Sequence, residues 1–192
     1  MGLNFQEIVS AFLVLFAIID ITGSIPLIIS LRDKGNIIKP LKVSVVSAVV
    51  LITFLFLGEG LLSIFSVDVH SFAVAGAIVL FVYGFEMTLG VEIVKDKGPK
   101  EVASIVPLVF PLIAGAGSMT TLISMRAEYE IINIIIAILM NTTFVYFILK
   151  YVDKFEKLIG PSAIYVLQKV FGIILIAISV KLFASNISTL IN

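Results

Sequence analysis

Asp20 is the side chain whose type and position most call for a chemical explanation. It falls within an apolar stretch and is followed by Ile21-Thr22-Gly23-Ser24-Ile25-Pro26. A carboxylate at the depth of a bilayer costs about 2.5–3.5 kcal/mol on insertion scales, so it needs a partner or a role. Two roles fit. Asp20 can handle a solute or proton directly, or it can cap a helix that restarts at Gly23 or Ser24 by accepting hydrogen bonds from its first N–H groups. Pro26 lacks an amide donor and Gly23 tolerates unusual dihedrals, so the helix is expected to unwind around 20–23 and restart.

A second interruption has the same ingredients. Pro107 and Pro111 precede Ala114-Gly115-Ala116-Gly117-Ser118-Met119-Thr120-Thr121. Non-helical backbone at membrane depth survives where it is buried in protein or lines a cavity. Paired breaks in corresponding positions of two halves point to a binding site near the midplane. Restarting half-helices present unbonded N–H groups and positive dipole ends, which suit an anionic group such as a carboxylate. The substrate-binding set expected on this basis is Asp20, Thr22, Gly23, Ser24, Gly115, Gly117, Ser118, Thr121 and Asn141.

Other polar residues have competing explanations. Glu59 and Glu86 each lie about two turns from a helix end, and either can gate, relay protons, snorkel or pair. Asn141, with Thr142 and Thr143, suits interhelical hydrogen bonding. Ala73, Gly76, Ala77 and Gly172 are expected to allow close helix packing, and Gly76 and Gly172 to correspond between the halves. Gly84, away from both breaks, is expected to accept bulk better than Gly23 or Gly117. Lys181 should snorkel outward, and His70 stands alone in a short loop.

These residues need a membrane around them. Of 192 residues, 60% are hydrophobic and only 14% charged, and mean hydropathy is +1.19. A soluble domain of this size cannot hide so much apolar surface. With net charge zero and no basic tract, nucleic acid is not an expected partner. The absence of cysteine removes disulfides and thiol catalysis, and one histidine makes a zinc site improbable. There is neither a phosphate-binding glycine loop nor a His/Cys or Ser-His-Asp set, so no enzyme, ATPase or cofactor is expected. Met1 to Glu7 carries no Lys or Arg, so the first apolar run is read as a retained helix rather than a signal peptide.

The expected architecture is an all-α membrane protein with six transmembrane helices, at about 7–31, 43–65, 72–91, 102–126, 130–150 and 165–187. Arg32, Lys34, Lys39, Lys42, Lys95, Lys97, Lys100, Lys150, Lys154 and Lys157 fall in connections on one side, against Arg126 on the other. That bias puts the basic side in the cytoplasm and both termini outside the cytoplasmic membrane.

An internal repeat sets the symmetry. Gly23-Ser24-Ile25-Pro26-Leu27-Ile28-Ile29-Ser30-Leu31-Arg32 aligns without gaps on Gly117-Ser118-Met119-Thr120-Thr121-Leu122-Ile123-Ser124-Met125-Arg126, with five of ten positions identical. The same register sets Ser47 on Asn141. Two three-helix halves, 1–95 and 96–192, would then form one integrated domain. An odd helix count inverts the second half, with helices 1 and 4 broken near the midplane.

The same residues carry a family resemblance. Phe12 to Pro26, ending Asp20-Ile21-Thr22-Gly23-Ser24-Ile25-Pro26, resembles the first-helix pattern Asp-Pro-x-Gly-x-x-Pro of the MarC family. Pro107-Leu108-Val109-Phe110-Pro111-Leu112-Ile113-Ala114-Gly115-Ala116-Gly117 resembles its fourth-helix pattern, which usually ends Ala-Gly-Pro-Gly. Ala75-Gly76-Ala77-Ile78-Val79-Leu80-Phe81 is similar to its third-helix glycine motif. Ile21 and Ala116 stand where the family has proline. The resemblance covers essentially the whole chain and implies a transporter of small neutral amino acids such as glycine, alanine or serine.

The resulting expectation is alternating access around the two breaks. The substrate carboxylate would meet N–H groups and hydroxyls, and its ammonium would meet Asp20. Energy would come from an H+ or Na+ gradient, or the carrier would simply exchange or leak solutes outward. An exporter or channel for another small solute and a non-transporting accessory protein are the alternatives. Self-association into a homo-oligomer stays open.

Overall fold

A computed structural model describes residues 2–19, 21, 24–91, 93 and 105–191. Those residues form helices joined by short turns, with no strand among them. The helices are α1 (Phe5–Ile19), α2 (Ile25–Asp33), α3 (Pro40–Ser63), α4 (Val69–Leu89), α5 (Ile105–Ile113), α6 (Ala116–Glu128), α7 (Ile131–Ile159) and α8 (Pro161–Ile191).

Local chemistry sets several boundaries. Pro40 opens α3, where its missing N–H would have had no helical partner anyway. Asp68 caps α4 by accepting the Ser71 N–H at 2.7 Å. Gly90 closes α4 in the left-handed conformation, φ 72°, and its N–H bonds to the Glu86 carbonyl.

Pro40–Gly58, Val69–Leu89, Ile131–Ile159 and Ser162–Ser188 are each long and apolar enough to cross a bilayer. The α5–α6 pair, bent by 47°, adds a fifth candidate. These overlap five of the six expected spans; the largest differences are at the end of the Pro40–Gly58 candidate, expected to reach 65, and at the basic-side end of α7, which runs on to Ile159. The remaining one is divided. At about 1.5 Å per residue, the 15 residues of α1 fall short of the ~30 Å hydrocarbon core. Asp20, Thr22 and Gly23, which connect α1 towards α2, lie outside the described residues.

The helix ends gather at two levels. Asn4 and Glu7 of the first turn meet Glu130 and Asn133 at the start of α7, and His70 at the start of α4 meets Asn186 near the end of α8 at 2.9 Å. At the opposite level, the end of α2 meets the ends of α4 and α7 and the start of α8. Lys39, Lys42, Lys154 and Lys157 accompany this second, basic end.

Between the two levels the helices present large exposed apolar residues such as Leu139, Phe147, Val166 and Ile173 outward. A lipid solvent makes that arrangement stable.

The most extensive interface joins α4 to α8, and Gly84 and Gly172 meet within it. A Cβ on Gly84 would fall 2.8 Å from the Gly172 carbonyl oxygen, and one on Gly172 would fall 2.5 Å from Thr88 Oγ1. The expectation that Gly84 accepts bulk is therefore overturned: its backbone is pressed against another helix. Gly172 is a close-packing position, as expected, and it packs on Gly84 and Thr88. Gly76 instead lets α5 approach, with a Cβ there 3.2 Å from Pro111 Cβ.

Candidate functional site

Both interruptions are present as separate helices, and they open onto one cavity of about 190 Å³. In the second half, Phe110 is extended (φ −125°, ψ 128°) and α6 restarts at Ala116. The first helical bond of α6 is Met119 N–H to the Gly115 carbonyl at 3.0 Å. The N–H groups of Ala116, Gly117 and Ser118 thus have no partner within the helix. In the first half, Ser24 precedes α2, and Ile28 N–H bonds to its carbonyl at 3.0 Å. Pro26 sits in the first turn, where losing a donor costs no helical bond.

Ser24, Gly115, Ala116, Gly117 and Ser118 all line this cavity. Gly115 is needed there for close approach, since a Cβ would fall 2.1 Å from the Pro111 carbonyl oxygen. Ser118 spends its hydroxyl on the break itself, donating to the Ile113 carbonyl at 2.6 Å. That bond satisfies a carbonyl left over where the helix is interrupted. The remaining wall is apolar: Ile18 and Ile19 from α1, Leu80 from α4, and Phe171, Ile174 and Leu175 from α8.

Other expected site residues lie elsewhere. Thr121 lies in a separate groove with Val14, Ser124 and Glu128. Asn141 is buried but bridges helices, donating to the Phe12 carbonyl at 3.1 Å and the Ala137 carbonyl at 3.0 Å. Its register mate Ser47 is fully buried on α3. Glu86 is 1% exposed, pairs with Lys34 Nζ at 2.5 Å and accepts the Ile93 N–H at 2.6 Å. Asp20, Thr22 and Gly23 lie outside the described residues, as does the side chain of Glu59.

Several contributors escaped sequence reasoning. Ala73 and Gly76 line the cavity as well as packing α4 against its neighbours, and the only signal in the sequence was their small size, which was read as helix packing alone. Lys34 as partner of Glu86 was signalled only by opposite charges expected at the same end of the bundle. Nothing in the sequence marks Phe171, Ile174 or Leu175 among the many apolar residues of the last helix.

Comparison with known proteins finds relatives named as membrane proteins. The chain is 29% identical over 200 residues to a UPF0056 membrane protein of Aquifex aeolicus, covering 95% of this chain and 93% of the relative. It is 30% identical over 182 residues to one of Pyrococcus abyssi, covering 90% of each. It is 27% identical over 193 residues to the UPF0056 inner membrane protein YhgN of Escherichia coli K12, covering 95% and 96%. No solved structure matches the chain. The model of the MarC family of integral membrane proteins matches residues 5–191, nearly the whole length, and the chain belongs to that family.

Proposed function

We propose that the protein is a secondary transporter of small neutral amino acids, such as glycine, alanine or serine, in the cytoplasmic membrane. In this reading α1 and α2 together make one span, α5 and α6 another, and the six spans are two inverted halves. The relative named as an inner membrane protein supports the location. The observation that carries the transport reading is the single cavity bordered by both interruptions, with Ser24 from one and Gly115 to Ser118 from the other.

Its size favours a small cargo. About 190 Å³ exceeds the ~150 Å³ known to admit one benzene and falls below the ~300 Å³ where sites for drug-sized ligands begin. The N–H groups at the start of α6 suit a carboxylate. In this reading Asp20, the next residue in sequence after Ile19, supplies the opposite charge for an ammonium and a group able to carry H+ or hold Na+.

Counterflow of labelled alanine in proteoliposomes tests this. Saturable exchange, competed by glycine and serine, is expected. Vesicles that retain folded protein and exchange none of the three would overturn the assignment.

A further inference from the structure

Three consecutive side chains at the end of α2 grip three different helices. Arg32 pairs with Asp153 of α7. Asp33 accepts from Gln168 Nε2 of α8 at 3.0 Å. Lys34 pairs with the buried Glu86 of α4 at 2.5 Å. We propose that Arg32-Asp33-Lys34 is a gate, shut in this structure, and that the cavity is reached from the opposite end. The proposal rests on the transport reading and adds which way the site faces.

The lining of the cavity agrees. Helix α4 contributes Ala73, Gly76 and Leu80, and no residue from the basic-end stretch that follows. One turn beyond Leu80 towards that end, the Gly84–Gly172 contact brings the two backbones together. Beyond that contact on α4 comes Glu86, paired with Lys34. Along α4 the order is therefore cavity-lining residues, the contact with α8, and the ion pair.

The repeat supplies a comparison within the same molecule. Pro26, Leu27 and Ile29 of α2 are buried, whereas their register mates on α6 are exposed at Thr120 and half-buried at Thr121 and Ile123. Arg126, the mate of Arg32, donates to the backbone carbonyls of Leu55 and Phe56 instead of holding a carboxylate. Among the described residues, the end carrying Arg126 has no ion pair; α4 and α8 meet there through the exposed His70–Asn186 hydrogen bond. Equivalent segments thus stand in unequal states, the pattern expected of an inverted repeat caught open on one side.

The native chain has no cysteine, so thiol accessibility reads the gate without relying on transport. Single Ser118→Cys protein is reconstituted, with Lys42→Cys and Ser66→Cys reporting the two sides, both being exposed. A small membrane-impermeant thiol reagent should modify Ser118→Cys at least about tenfold faster from the Ser66 side, as for a gate shut about 90% of the time or more. Adding Glu86→Gln with Asp153→Asn should raise the Lys42-side rate by about tenfold. The exchanged pair Lys34→Glu with Glu86→Lys should restore the slow rate, guarding against an opened variant that misfolds.

Equal rates from both sides in the parent, faster reaction from the Lys42 side, or none from either side would overturn the gate. So would an unchanged rate in the opened variant with parental thermal stability. Loss of alanine counterflow alone would strike the substrate reading and leave the gate standing.

Discussion

Gly84 and Gly172 block one another reciprocally: a Cβ on the first would fall 2.8 Å from the second's carbonyl oxygen, and a Cβ on the second 2.9 Å from the first's. Helices in lipid gain little from burying apolar surface against each other, so close backbone packing between small residues supplies much of their association. Here that packing joins α4 of the first half to α8 of the second. Gly84→Val and Gly172→Val should therefore each destabilise the protein by about 1–3 kcal/mol through overpacking. Detergent unfolding checks this. A Gly84→Val protein with parental stability would show that the contact is dispensable.

At the second interruption, Gly115 and Gly117 are separated by one residue and should behave oppositely. Gly115→Ala would place a methyl 2.1 Å from the Pro111 carbonyl oxygen, a collision with backbone. At Gly117 the nearest obstacle is Ile18 Cγ2 at 3.5 Å, an ordinary contact. Gly117→Ala, inside α6, should even gain part of the ~1 kcal/mol helix preference of alanine over glycine. In unfolding assays Gly115→Ala should be the damaging change, and the reverse order would contradict the geometry of the break.

Asp68, at the end opposite the basic one, is expected to contribute to the response to acid. Its carboxylate accepts from the Ser71 N–H and hydroxyl, which hold its pKa below the ordinary value of 3.8. A depressed folded-state pKa means the stabilisation is complete above the ordinary value and is lost as pH falls through the folded one. Asp68→Asn keeps an acceptor but cannot titrate. Between pH ~5 and ~3 its melting temperature should fall less than the parent's, and equal falls would remove Asp68 from the acid response.

What the sequence reveals follows from how each signal arises. Spans such as Val69–Leu89 were legible because lipid demands a continuous apolar run. The interruptions were legible because Pro111 and Gly115 act on their own backbone. Gly84 was misjudged because its importance depends on Gly172, far away in sequence, and an isolated glycine carries no sign of its opposite number. Asn141 was assigned to the substrate set, but its amide bridges to the Phe12 carbonyl. Composition identifies a buried amide without saying which neighbour satisfies it.

Arg126 provides the last test, because its partners are made available by a defect in another helix. Gly58 interrupts α3 with φ 47° and ψ −130°, a combination strained for residues with a Cβ. A non-helical residue there takes the following amides out of line with carbonyls one turn earlier. Arg126 Nη1 donates to two carbonyls in that turn, Leu55 at 3.2 Å and Phe56 at 3.0 Å. Crowding is not what requires glycine at 58, since the nearest atom to a Cβ would be Ile123 Cγ1 at 3.5 Å. Gly58→Ala should therefore act on the dihedrals, straightening α3 and returning the carbonyls to helical partners. Arg126→Met should be costly in the parent, where the carbonyls depend on the guanidinium, and less costly beside Gly58→Ala. A double-mutant cycle measured by detergent unfolding should give a coupling of about 0.5–3 kcal/mol. Strict additivity would mean that the guanidinium and the interruption in α3 are independent features that merely lie side by side.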